Sequence, residues 1–295
     1  MILVTGGNGY VGKALCQILA ESGKDVASVS RNYYETQGYK SLVADVSDKK
    51  SLEAIFDEYP VNTIVHLASM LNTASRQHPD KAVRVNVMGS LNLLELCIGR
   101  EVDRFIFGSS FNAIGTRKGL RNPVDETEPS LPSEFYGETK RFVEQLGISM
   151  SVLNMFEFVS ARMAIIIGPG EPSPTSAWRT DMFNLLSEGG DIRITFSPSE
   201  FIPMAHYQDI ADGLRILIEA EKIGHSIYNL YNESWLVSDL AEYLMSLTDG
   251  INVTCGDREL DGIPPLVSYS RFQGEFNYKP IPIRDRLRNY KERLI

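Results

Sequence analysis

The 295-residue sequence lacks a long hydrophobic run. Its longest unbroken apolar stretch, residues 163–167, falls far short of the roughly 20 residues that cross a bilayer. Cysteine is scarce: Cys16, Cys97 and Cys255 are odd in number and lack metal-ligand spacing. A disulfide framework and a thiolate metal site are therefore not expected. The 4 histidines complete no zinc motif, so no metal is expected either. Positive charge is also short, with 29 basic against 38 acidic residues and a formal net charge of −9. That balance disfavours nucleic acid or anionic lipid as the main partner. Strand-like sequence begins at Met1-Ile2-Leu3-Val4 and meets glycine at once, which is unlike a secretory leader. With 43% hydrophobic and 23% charged residues, the composition fits a cytoplasmic, enzyme-sized domain.

Short β-branched runs alternate with helix-period segments through the first half. Residues 2–5, 25–30, 41–44, 63–67 and 104–109 read as strands, and 11–21, 48–57 and 79–100 as helices. Asp48, preceded by Ser47, supplies helix-start chemistry. Buried runs separated by helices predict an α/β fold with a doubly wound parallel sheet of the Rossmann type. The second half is less regular: 136–156 reads as a helix, 160–167 as a strand, and the run from Gly168 to Pro174 as a break. The expected division is a dinucleotide-binding domain over 1–167, rejoined by 206–232. A smaller discontinuous substrate lobe takes 168–205 and 233–295.

Val4-Thr5-Gly6-Gly7-Asn8-Gly9-Tyr10-Val11-Gly12 follows the first strand and opens the first helix. Glycine triplets also make ordinary turns, but this context marks a dinucleotide loop. Gly6 permits the tight turn, Gly9 lets the backbone approach a pyrophosphate, and Gly12 lets helix and sheet pack closely. Tyr10 and Val11 are cofactor contacts on the same loop, whose free amides and helix dipole favour the anion. Further on, Tyr136 and Lys140 stand four apart, one turn from each other on a helix. A phenol with a free pKa of about 10 is a poor base at neutral pH. A neighbouring ammonium moves it toward acid–base chemistry.

The spacing Gly6-x-x-Gly9-x-x-Gly12 with Thr5 resembles the short-chain dehydrogenase/reductase superfamily in its extended branch, the epimerase/dehydratase-like enzymes. Asp45-Val46, His66-Leu67-Ala68-Ser69, Val85-Asn86-Val87-Met88-Gly89, Gly168-Pro169-Gly170 and His206-Tyr207-Gln208-Asp209 match that branch in order. The resemblance implies a catalytic set of Ser110, Tyr136 and Lys140. It implies cofactor contacts from Asp45, Val46, Leu67, Ala68, Ser69, Asn86, Ser109, Tyr136, Lys140 and Met163, besides the glycine loop. It also implies a homodimer pairing the helices at 79–100 and 136–156. At the end of the second strand, Ser30 takes the position where an acid would repel a 2′-phosphate, with Arg31 and Asn32 beside it. Because guanidinium pairs well with phosphate, NADP(H) is expected to be preferred, with NAD(H) as the alternative.

Three departures from the family pattern bear on the substrate. Its Arg-Tyr-Phe-Asn run reads Arg162-Met163-Ala164-Ile165, and its Arg-Asp-Phe-x-His run reads Ile202-Pro203-Met204-Ala205-His206. The later Arg-Pro-Gly-Asp run reads Gly262-Ile263-Pro264-Pro265, so two arginines that hold a diphosphate are missing. Trp178-Arg179 and Asn112 are candidate substrate contacts. Arg117, Lys118 and Arg121 read as a solvated basic loop, and His66 and His206 as structural hydrogen-bonders. Phe111-Asn112 supplies no acid pair beside Ser110, which disfavours dehydratase chemistry. The leading expectation is an epimerase or ketoreductase acting on a sugar or nucleotide sugar. The alternatives are an NADPH-dependent reductase of a smaller carbonyl compound and a nucleotide sensor without chemistry.

Overall fold

The computed structural model describes residues 1–117, 119, 122–173 and 175–292. The apolar runs become β1 (Ile2–Thr5), β2 (Val26–Ser30), β3 (Lys40–Val43), β4 (Thr63–His66), β5 (Arg104–Ser110) and β6 (Glu157–Met163). They are followed by β7 (Ile165–Ile167), β8 (Gly190–Phe196), β9 (Phe201–His206), β10 (Ile227–Asn229), β11 (Glu233–Leu236) and β12 (Ile251–Arg258). A seven-stranded parallel sheet runs in the order β10-β6-β5-β4-β1-β2-β3, as the alternation of strands and helices predicts. Its registers set Thr5 opposite both Val29 and His66, and Ser110 opposite Met163. The carboxyl ends of β1, β4, β5 and β6 thus form one edge, where such sheets take their ligands.

Strand alternation divides the core into two layers. Ile2 and Val4 face α1 (Tyr10–Glu21), while Leu3 faces α2 (Lys49–Glu58) on the other side. Asp48 caps α2 by accepting from Lys50 N at 3.1 Å. A short α3 (Asn72–Gln77) precedes α4 (Pro79–Gly99), which has a π-helical stretch at Val83–Met88 where a regular helix is expected. By length and composition α4 would fit a membrane, a feature that short unbroken runs do not disclose. In the fold, its Leu93, Leu94, Leu96 and Cys97 lie buried against the sheet. Next comes α5 (Phe135–Asn154), whose Val143 enters the same core.

The strand expected over 160–167 breaks at Ala164. β6 stays in the main sheet, whereas β7 leaves it to pair with β9 in a separate sheet, order β11-β9-β7. Around it stand the parallel pair β8–β12, α6 (Trp178–Glu188) and, after α7 (Tyr207–Glu219), the helix α8 (Val237–Leu247). A short α9 (Ser270–Phe276) and α10 (Ile283–Glu292) complete the chain's helices among the described residues. Trp178, Phe183, Ile194, Ile202, Trp235 and Leu287 share a core here, while α7 packs with α1 against the main sheet.

Candidate active site

The glycine loop crosses the ends of β1 and β4 with no room for a side chain at Gly6, Gly7 or Gly12. At Gly6 (φ 70°) a Cβ would lie 2.7 Å from Ala68 N, and at Gly12 one would lie 2.4 Å from Gly6 O. The N-cap of α1, Gly9, offers no side-chain acceptor, so the first amides of the helix, from Tyr10, Val11 and Gly12, are free for an anion. A close backbone turn with an uncapped helix start fits a dinucleotide pyrophosphate. Tyr10 itself is turned elsewhere: its hydroxyl donates to Pro169 O at 2.7 Å and its ring lies 4.6 Å from that of Tyr207. The expected cofactor side chain thus fastens the loop to the start of the β7–α6 connection, leaving only its amide to the nucleotide.

At the tip of β2, Ser30 Oγ donates to Asn32 O at 2.6 Å, and Arg31 and Asn32 are exposed. The Arg31 guanidinium has no ion pair among the described residues. Asp45 accepts from Ser47 N and Oγ at 2.8 and 2.7 Å, while Val46 is buried against Gly89. Past β4, Leu67, Ala68 and Ser69 are half-buried on the ligand edge. Asn86 holds that segment: Oδ1 accepts from Met70 N at 2.7 Å and from Ser69 Oγ at 3.2 Å, and Nδ2 donates to Met70 O at 3.0 Å. Nδ2 also donates to Thr139 Oγ1 at 3.3 Å, so the amide is committed within the fold.

Ser110 closes β5 and Tyr136 lies in the first turn of α5. Burial pushes the Tyr136 phenol up to about 12, and the nearby hydroxyls of Ser69 and Ser110 work against that rise. Lys140 is fully buried, its Nζ donating to Gly108 O at 2.8 Å and lying 5.6 Å from the centre of the Tyr136 ring. Burial drives this ammonium down to about 7. The lysine expected to act on the phenol thus lies beneath its ring. Ser110 Oγ also donates to Asn112 Oδ1 at 3.0 Å. Met163, opposite Ser110, is partly buried on the same edge.

Two expectations are corrected. Ser109 faces the opposite side of β5 from Ser110, donates to Glu144 Oε1 at 2.6 Å and is buried, so its side chain does not line the cofactor side. Trp178 does not present a ring to substrate, because it is buried in the second core, edge-on to Phe196. Arg179 behaves differently: burial pushes its guanidinium down to about 10, Arg258 adds to that shift, and its Nε has no partner among the described residues. Arg258 ends β12 and is exposed. Arg117 donates to the backbone carbonyls of Thr116 and Pro129, whereas Lys118 and Arg121 lie outside the described residues.

The pattern of motifs does not single out Glu134. This buried carboxylate, two residues before Tyr136, receives Asn72 and Arg76 from α3, and Asn112 Nδ2 at 3.4 Å. Tertiary packing brings to Asn112 the single carboxylate that its sequence neighbours lack. Its only local signal is an acid at the start of the Tyr136 helix. His66, between Thr5 Oγ1 at 2.6 Å and Ser90 Oγ at 2.9 Å, is pushed down to about 3 by burial and the Lys140 charge, and is a neutral structural group. His206 caps α7 through Nδ1, which accepts from Gln208 N at 3.4 Å.

Residues 2–230 match the NAD dependent epimerase/dehydratase family. The chain is 31% identical over 150 residues to a UDP-glucose 4-epimerase of Halalkalibacterium halodurans, covering 49% of this chain and 44% of that one. To a UDP-glucose 4-epimerase of Schizosaccharomyces pombe it is 29% identical over 189 residues, covering 59% and 53%. The chain thus spans about half the length of these curated relatives. In fold it is similar to a GalE-like L-threonine dehydrogenase of Cupriavidus necator, with a TM-score of 0.89, 19% identity and coverage of 100% and 99% of the two chains. On its glycine loop, its sheet and its match over residues 2–230, this chain belongs to the NAD dependent epimerase/dehydratase family.

Proposed function

We propose that the protein carries out NAD(P)-dependent hydride and proton transfer at the alcohol or ketone of a sugar or nucleotide sugar, as an epimerase or ketoreductase. The observation that carries this reading is that Ser110 ends β5 on the ligand edge of the sheet while Tyr136 lies one turn from buried Lys140, whose Nζ is anchored on Gly108 O of the same strand and sits 5.6 Å from the Tyr136 ring. A bound nicotinamide supplies the hydride acceptor and donor. The α1 amides and the β4 edge from Leu67 to Ser69 hold the dinucleotide. Ser110 orients the substrate oxygen, and Tyr136 takes its proton in oxidation and returns it in reduction. The hydroxyls of Ser69 and Ser110 stabilise the phenolate against burial, with the Lys140 charge behind it.

Arg179 and Arg258 support a phosphate-bearing substrate. Two like charges close enough to perturb one another, one of them buried with an orphaned Nε, fit an anion bridging them. They are two cations in a chain that lacks two of the family's arginines. A smaller carbonyl substrate is the second reading, favoured by fully buried Ile202 at one of those missing positions. Arg31 supports NADP(H), and α4 and α5 leave Val83, Phe142, Val152 and Leu153 exposed for a homodimer. The test is turnover of UDP-hexoses and of small ketones with NAD(H) and NADP(H). Tyr136→Phe is expected to abolish turnover while leaving dinucleotide affinity within about threefold. Turnover retained by the variant would remove Tyr136 from the reaction.

A further inference from the structure

Helix α5 is fastened to the sheet by two consecutive residues of β5. Gly108 O accepts from Lys140 Nζ at 2.8 Å, and Ser109 Oγ donates to Glu144 Oε1 at 2.6 Å one turn later. Glu144 then receives the same face of β6: Ser160 Oγ at 2.9 Å, Arg162 Nε at 2.9 Å and Arg162 Nη2 at 2.7 Å. The side chains of Arg162 and Glu144 are 2% and 0% exposed. A pair sunk this deep loses hydration that its own attraction barely restores, so stability is a poor reason for it. Its neighbour suggests another reason.

The titratable groups around Lys140 are Tyr136 and Glu144 on its own helix, His66 from β4 and Arg162 from β6. β5 adds only the Phe107 ring, at 4.7 Å, and Gly108 O. With His66 neutral and Tyr136 protonated at rest, Glu144 is the anion among these described groups. Burial pulls the Lys140 ammonium down to about 7, and the Glu144 charge works against that fall.

We propose that Glu144, clamped by Arg162, Ser109 and Ser160, is a positioning residue that keeps Lys140 cationic and directed at Gly108 O beneath Tyr136. The clamp on Glu144 fixes the carboxylate one turn from the ammonium. The significance of that cation rests on the reaction proposed above, but its charge is measurable without any substrate.

The test is a pH titration of the whole protein labelled with 13Cε-lysine, the Lys140 signal being assigned by its loss in Lys140→Met. The wild-type midpoint is expected near 7, and Glu144→Gln is expected to lower it by about one unit or more. Should a lone buried Arg162 prevent that variant from folding, Glu144→Gln/Arg162→Met removes both charges and is expected to show a smaller fall in the same direction, because the repulsion from Arg162 goes with it. A midpoint unchanged or raised in the folded variant would overturn the proposal, since a merely structural Glu144 leaves the titration where it was. NADH and NADPH binding by fluorescence is followed in parallel. A wild-type protein that binds neither removes the functional reading, while the Lys140 midpoint still decides the role of Glu144.

Discussion

Arg31 stands exposed at the tip of β2, next to a serine whose hydroxyl is turned back onto Asn32 O. An unpaired guanidinium there gains most from a dianion, and an acid in its place would repel one. Arg31→Glu is expected to weaken NADPH binding tenfold or more and NADH binding by less than threefold. Equal losses for both nucleotides, measured by fluorescence titration, would place Arg31 on ordinary solvated surface. Single residues were legible to the extent that their chemistry is local. The glycine loop and the Tyr136–Lys140 spacing are short-range patterns, a turn and a helical period, whereas Ser110 is singled out only by the resemblance to the family. Ser109 was legible only with strand alternation taken strictly, since neighbours on β5 face opposite sides. Trp178 and Glu134 were not legible, because burial of the one and the convergence of Asn72, Arg76 and Asn112 on the other are set by distant elements.

At the scale of elements, His66 is the clamp. Its ring joins β1 through Thr5 and α4 through Ser90, and it is held neutral, pushed down to about 3 from an ordinary 6.5. Because the folded value lies below the unfolded one, the folded protein binds fewer protons than the unfolded chain once the pH falls below 6.5. Stability is thus fully present above that point and is lost progressively toward the folded value. Between pH 6.5 and 5 the loss from this one ring is about 2 kcal/mol. His66→Gln should flatten the acid limb of urea-unfolding stability by roughly that amount, even if it lowers stability at pH 8. An acid limb as steep as the wild type's would assign the loss to other groups. The strands of the main sheet were legible because fully buried parallel strands are continuous apolar runs. The second core was not: β8 and β12 alternate buried and exposed residues over short lengths, and β7 continues the apolar run of β6 while joining another sheet. Periodicity reports burial, and it does not report which sheet provides it.

The whole molecule leaves one apolar account open. Helices α4 and α5 cover one face of the main sheet, yet Phe142 is 55% exposed, with Val152 and Leu153 more so. Large apolar side chains singly exposed are ordinary, but several along two adjacent helices suit a self-complementary contact. Helices from two protomers would pack as a four-helix bundle behind the sheet. Tyr136 and Lys140 lie on α5, so such a contact would brace the helix that carries them from the side opposite β5. Sedimentation is the direct measurement. The wild type is expected at twice the 33.0 kDa chain mass, and Phe142→Glu, which buries a charge in the seam, at the single mass with dinucleotide binding retained. A wild-type monomer would sink the dimer outright. A Phe142→Glu dimer would move the contact off α5, and with it the reason for tying assembly to the position of Lys140.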